Sequence, residues 1–166
     1  MKEKNRRLAR CAMLAALALI FSYVEVLIPF SVGLPGVKLG LANIVVVFAI
    51  YMLGARYALY LNLARIVLAG LLFGSPFSTL YALCGGLLSL CAMLILKKTN
   101  LFSVIGVSMA GGFFHNLGQL IAAAVIVKTP QVVSYLPVLV FSGIAAGIVN
   151  GIIATFCMEK LKYLKM

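Results

Sequence analysis

Tyr57-Ala58-Leu59-Tyr60-Leu61-Asn62-Leu63-Ala64-Arg65-Ile66-Val67-Leu68-Ala69-Gly70-Leu71-Leu72-Phe73 is an apolar run broken by one amide and one guanidinium. A run of this kind suits a helix inside a bilayer, where backbone N–H and C=O groups must satisfy one another. An arginine at the centre of a bilayer costs about 2.5 to 3.5 kcal/mol on insertion scales, so it faces a cavity or a partner rather than lipid. Asn62 lies three residues before Arg65, and on a helix the two side chains share a face. The fold therefore reads as a membrane bundle, and the polar pair marks where its interior is used.

The rest of the chain agrees. Of 166 residues, 64% are hydrophobic and only 10% charged, and the mean hydropathy is +1.17, too apolar for an ordinary soluble domain. Lys and Arg number 14 against 3 Asp and Glu, a net charge of +11. The basic residues sit between the apolar runs, so this charge reports membrane topology, and no exposed folded face is left for nucleic acid. The head Met1–Arg7 and the apolar run after it have the outline of a signal peptide, with Ala16-Leu17-Ala18 at a cleavage position. The run continues to Phe30, however, and is long enough to span. Cys11, Cys84, Cys91 and Cys157 include no Cys-x-x-Cys pair and read as small apolar residues.

The pattern predicts an all-α integral membrane protein, a compact bundle of six transmembrane helices over Leu8–Phe30, Leu39–Leu53, Tyr57–Phe73, Phe77–Leu96, Phe102–Val127 and Val132–Met158. The second and third are short and are separated by the tight break Gly54-Ala55-Arg56. With the N-terminus in the cytoplasm, Lys2, Lys4, Arg6, Arg7, Arg10, Arg56, Lys97, Lys98, Lys160, Lys162 and Lys165 fall inside and Lys38 and Lys128 outside. Both termini are then cytoplasmic, in a cell-membrane protein with one transmembrane domain over 1–166 and short basic tails at 1–7 and 159–166. Gly143, Gly147 and Gly151 form two small-x-x-x-small steps on the last helix, Gly111, His115, Gly118 and Ala122 a similar stripe on the fifth, and Ala12 and Ala16 a pair on the first. On pattern alone the alanine pair reads as an intramolecular contact. Pro29 to Lys38, punctuated by glycine and proline, reads either as an external lid or as a plain connector.

Two polar groups lie within the spans. Glu25, near the outer end of helix one, is the one acid outside the tails and an obvious partner for Arg65; an ion pair between them would be purely structural. Alternatively Arg65, helped by Lys38, binds an anion, since a planar forked donor suits a carboxylate or phosphate. Lys38 could equally be an interface lysine with its charge in water. His115, Asn116 and Gln119 form the second group, with His115 and Gln119 on one face, suited to ligand contact, proton coupling or interhelical hydrogen bonding. Asn43 could join an outer-half pocket, whereas Asn150 reads as interhelical glue.

The chain contains no aspartate, no Gly-x-x-x-x-Gly-Lys-Ser/Thr loop, no His-Glu-x-x-His and no Gly-x-Ser-x-Gly. It cannot energise transport with ATP itself, and it lacks the clustered carboxylates that hold magnesium against a diphosphate. No metal, cofactor or catalytic residue is implied.

Four blocks carry a resemblance: Lys38-Leu39-Gly40-Leu41-Ala42-Asn43-Ile44, Arg65 to Gly74, Tyr81-Ala82-Leu83-Cys84-Gly85-Gly86, and His115-Asn116-Leu117-Gly118-Gln119. Together they resemble the Gx transporter family, also described as heptaprenyl diphosphate synthase component I, which in turn resembles the substrate-binding S components of energy-coupling factor (ECF) transporters. The resemblance implies a six-helix subunit that captures a vitamin-, isoprenoid- or quinone-related metabolite, small and anionic or amphipathic, from outside. A separate membrane T component and two cytoplasmic ATPases would supply the energy. It further implies a substrate pocket in the outer half formed by Glu25, Asn43 and Arg65, with His115 at mid-depth and Asn62, Asn116, Gln119 and Lys38 beside them. It also implies a gating loop over Ser31 to Lys38 and docking of the T component on Ala12 and Ala16. The synthase description implies a different role, a non-catalytic membrane accessory subunit of a polyprenyl diphosphate synthase. Such synthases resemble one another through Asp-Asp-x-x-Asp motifs, for which this chain has no aspartate.

Overall fold

The computed structural model describes residues 2–27, 40–127, 134 and 136–163. Among these there are six helices and no strand: α1 Lys2–Leu27, α2 Leu41–Met52, α3 Ala55–Phe73, α4 Pro76–Thr99, α5 Val104–Val127 and α6 Leu136–Tyr163. All but α2 are long and apolar enough to cross a membrane. Their outer surfaces expose large apolar side chains such as Leu71, Val125 and Phe141, which suits contact with lipid and would be a liability in water.

The peripheral helices make an incomplete ring. α1 packs on α3, α3 on α4, α4 on α5 and α5 on α6, whereas α1 and α6 do not touch among the described residues. The ring closes around α2, which alone contacts all five others. The six helices are those expected, and α2 is the shortest of them. With 12 residues, α2 is about 18 Å long, well short of a hydrocarbon core about 30 Å thick. Two glycines set its length. Gly40 precedes it in the left-handed region at φ 69°, and Gly54 ends it at φ 91°, ψ 173°, a conformation essentially reserved for glycine. Gly54 thus makes the tight break, and α3 starts directly after it.

Most of α2 is buried, including Val45, Val46, Val47, Ala49 and Ile50, and the core continues through Leu61, Leu90, Met93 and Val107. A short helix in an apolar core still has unsatisfied backbone groups at both ends. Other helices supply the partners. Glu25 Oε1 of α1 accepts from Leu41 N–H at 2.6 Å, and Lys97 Nζ of α4 donates to Ile50 C=O at 2.5 Å while lying 4.6 Å from the centre of the Tyr51 ring. An anion at the N-terminus and a cation at the C-terminus both complement the helix dipole.

The remaining boundaries shift for local reasons. α4 begins at Pro76 because Ser75 caps it: Ser75 Oγ accepts from Ser78 N–H at 3.2 Å and Ser78 Oγ from Ser75 N–H at 2.9 Å, with proline at the first helical position. It ends at Asn100, in the left-handed region at φ 56°. α1 takes in the basic residues from Lys2, and α6 runs on to Tyr163, since backbone helicity does not stop where the hydrophobic stretch does.

The glycines of α6 sit against α5 as their spacing suggests. A Cβ at Gly147 would lie 2.6 Å from Met109 Cα, and one at Gly151 would lie 2.7 Å from Ile105 Cα. The α5 stripe faces the other way: Gly111 meets Met93 and Gly118 meets Gly85, both on α4. Helix α5 lies between two close neighbours and needs small residues on both faces. Ala12 and Ala16 are exposed, so the intramolecular reading of that pair does not hold. Asn150 Nδ2 donates to Gly40 C=O at 2.9 Å, tying α6 to the start of α2.

Candidate functional site

Arg65 reaches the interior from α3 and is only 9% exposed. Its Nη2 donates to Asn62 Oδ1 at 2.9 Å and to Asn43 Oδ1 at 3.2 Å. Asn62, 1% exposed, donates from Nδ2 to Gly86 C=O of α4 at 3.0 Å. A chain of hydrogen bonds thus runs from the α4 backbone through Asn62 to the guanidinium and on to Asn43 of α2. Gly86 permits the close approach, because a Cβ there would lie 3.1 Å from Asn62 Nδ2. The i, i+3 relation between Asn62 and Arg65 expected from the sequence is realised as a direct bond.

Arg65 hydrogen-bonds two amides, while Glu25 carries the N-terminus of α2; the carboxylate remains close enough for its charge to act on the guanidinium. Arg65 Nε is buried and has no hydrogen-bond acceptor among the described residues. A buried donor without an acceptor costs about 1 to 3 kcal/mol, more when charged.

Arg65 lines a polar cavity of about 100 Å³, room for a carboxylate- or phosphate-sized group with about one or two waters. Glu25, Asn43, His115, Asn116 and Gln119 share the lining. Asn62 does not reach the cavity and stands behind Arg65. Lys38 and the loop Pro29 to Lys38 lie outside the described residues. On α5, Gln119 Nε2 and His115 Nε2 are 3.2 Å apart. Asn116 Nδ2 donates across to Leu139 C=O at 2.7 Å and lies 3.4 Å from Ser142 Oγ, so this amide also joins α5 to α6. Gly85 lets α4 close on the same place, because a Cβ there would lie 2.5 Å from the His115 carbonyl.

The lining also holds Ser22, Ser78, Thr79 and Asn150. Ser22 lies three residues before Glu25, a helical spacing that could have flagged it, though its hydroxyl bonds back to Ala18 C=O at 2.9 Å. Ser78 and Thr79 carry no signal in the sequence beyond their polarity near a helix start. Among the described residues no three His, Cys, Asp or Glu side chains gather as a metal-binding group.

Fold and site together define a multi-pass, all-helical membrane protein that encloses a small polar cavity, with an arginine at its wall, between its helices. The chain belongs to the family described as heptaprenyl diphosphate synthase component I, whose model matches residues 14–157. No curated protein and no solved structure matches it.

Proposed function

We propose that this protein is the substrate-capturing membrane subunit of an ECF-type transporter, taking up a small metabolite with a carboxylate, phosphate or similar acceptor group. The observation that carries the reading is Arg65, a buried charged side chain that lines the cavity together with Asn43, Asn116 and Gln119 and whose Nε has no acceptor among the described residues. The cavity lies toward the end of the bundle away from the basic ends of α1 and α6, with Glu25, Phe73 and Ser78 around it. If the basic ends are cytoplasmic, as their charge favours, the cavity opens on the outer half, where a capture subunit needs it. Asn43, Glu25, Asn116, Gln119 and His115 complete the binding wall, and Asn62 positions Arg65. The exposed alanines at 12 and 16 leave a shallow stripe on α1 where a second membrane protein can approach closely. That protein is the T component, which links the subunit to two cytoplasmic ATPases.

A second reading follows from the description of the family, a non-catalytic membrane accessory subunit of a polyprenyl diphosphate synthase. Affinity purification from native membranes in mild detergent, with mass spectrometry of proteins and small molecules, separates the two. Recovery of a T-type membrane protein with two ATPases supports the transporter. Recovery of an aspartate-rich prenyl synthase in their place overturns it and establishes the accessory role.

A further inference from the structure

The gap between α1 and α6 is a second, separate feature of the molecule. It forms a groove of about 470 Å³ floored by Ile44, Val45 and Phe48 of α2, walled by Leu17 and Phe21 of α1 and by Ile153 of α6. It shares no lining residue with the polar cavity. Its lining is apolar except at one end, where Arg10 enters beside Met13, with Cys157 and Leu161 of α6 opposite. That end carries the basic residues Arg6 and Arg7 of α1 and Lys160 of α6, together with Glu3, which pairs with Arg6 at 3.8 Å, and Glu159.

We propose that this groove holds one acyl chain of an anionic glycerophospholipid, whose phosphate is taken by Arg10. Three observations select this occupant. The groove opens sideways between helices that do not touch, so it faces the hydrocarbon of the bilayer rather than water. Its size falls within the range that holds a drug-sized ligand. Finally, the sole charge in the lining is a cation at the end where the termini place further cations, which complements a phosphate at headgroup depth. The Ala12 and Ala16 stripe lies outside this lining, so lipid in the groove and a protein on the stripe do not compete for the same side chains.

The chain contains no tryptophan, so Phe48→Trp puts a single fluorophore on the groove floor. The protein is reconstituted in phosphatidylcholine vesicles that contain either brominated phosphatidylglycerol or brominated phosphatidylcholine with the same acyl chains, and quenching gives their relative affinities. The expected result is a preference for phosphatidylglycerol of at least about five-fold, the contribution of one basic residue at a membrane surface. Arg10→Gln in the same background should remove that factor. Equal quenching by the two lipids overturns the proposal, as does an unchanged preference after Arg10→Gln. Absence of quenching by either lipid also overturns it and leaves the groove closed, or covered by a second copy. Relief of the quenching by farnesyl diphosphate at concentrations equal to the phosphatidylglycerol reassigns the groove to a prenyl diphosphate. Where Phe48→Trp fails to fold, Phe21→Trp on the facing wall gives the same readout.

Discussion

Arg65 is held through one nitrogen of its guanidinium, and its buried Nε has no acceptor among the described residues. Asn62 and Asn43 engage Nη2, so the guanidinium is oriented before a ligand arrives and loses little freedom on binding. Arg65→Met, which removes the charge and keeps the length, should reduce ligand affinity at least about a hundred-fold while the protein still purifies as a folded species; retained affinity by equilibrium binding would sink the assignment. Asn62→Leu tests positioning as distinct from contact. It removes the bond to the Gly86 carbonyl and one bond of Arg65, and should lower thermal stability by about 1 to 3 kcal/mol and weaken binding although Asn62 does not line the cavity. Unchanged binding in a destabilised protein would make Asn62 purely structural. The sequence exposed the Asn62–Arg65 pair through its spacing. It left open whether Glu25 or a ligand answers the guanidinium, because one acid and one base within a membrane form a plausible pair on composition alone.

At the level of elements, α2 is the part the pattern read least well. An apolar run from Leu39 to Leu53 looks like a span, and its shortening to Leu41–Met52 follows from two backbone conformations and from capping by side chains distant in sequence. Gly54→Ala places a Cβ at φ 91° and should cost about 1 to 3 kcal/mol, read as a lowered unfolding midpoint in detergent; a neutral result would mean that the break relaxes. Lys97→Met removes the cation from the C-terminus of α2 and should destabilise by about 0.5 to 2 kcal/mol, with the loss recovered in part by Arg. The α5–α6 contact was legible in kind and not in partner. Small residues every fourth position announce close packing, yet the same α5 sequence supplies one stripe for α4 and another for α6, and spacing alone does not say which neighbour takes which.

For the molecule as a whole, the ring open between α1 and α6 leaves two distinct outer faces on α1, the Ala12 and Ala16 stripe and the apolar groove. The double variant Ala12→Leu, Ala16→Leu should fold normally, since substitutions at exposed sites stay within about 0.5 kcal/mol. It should nevertheless lose co-purification with the membrane partner and the uptake that depends on it. Persistence of both would remove this stripe from the assembly. By itself the sequence determined that the chain is a helical membrane protein, roughly where its helices lie, which family it resembles, and that Arg65 and the His115–Gln119 segment face inward. Each of these depends on local composition and on the price of burying charge, which are written in consecutive residues. The tertiary structure alone decided that α2 is a short central plug, that Glu25 and Lys97 hold its two ends, that Ala12 and Ala16 face outward, and that a groove remains between α1 and α6. Those outcomes depend on which helices become neighbours, and neighbours are chosen by the packing of whole surfaces rather than by any one stretch of chain.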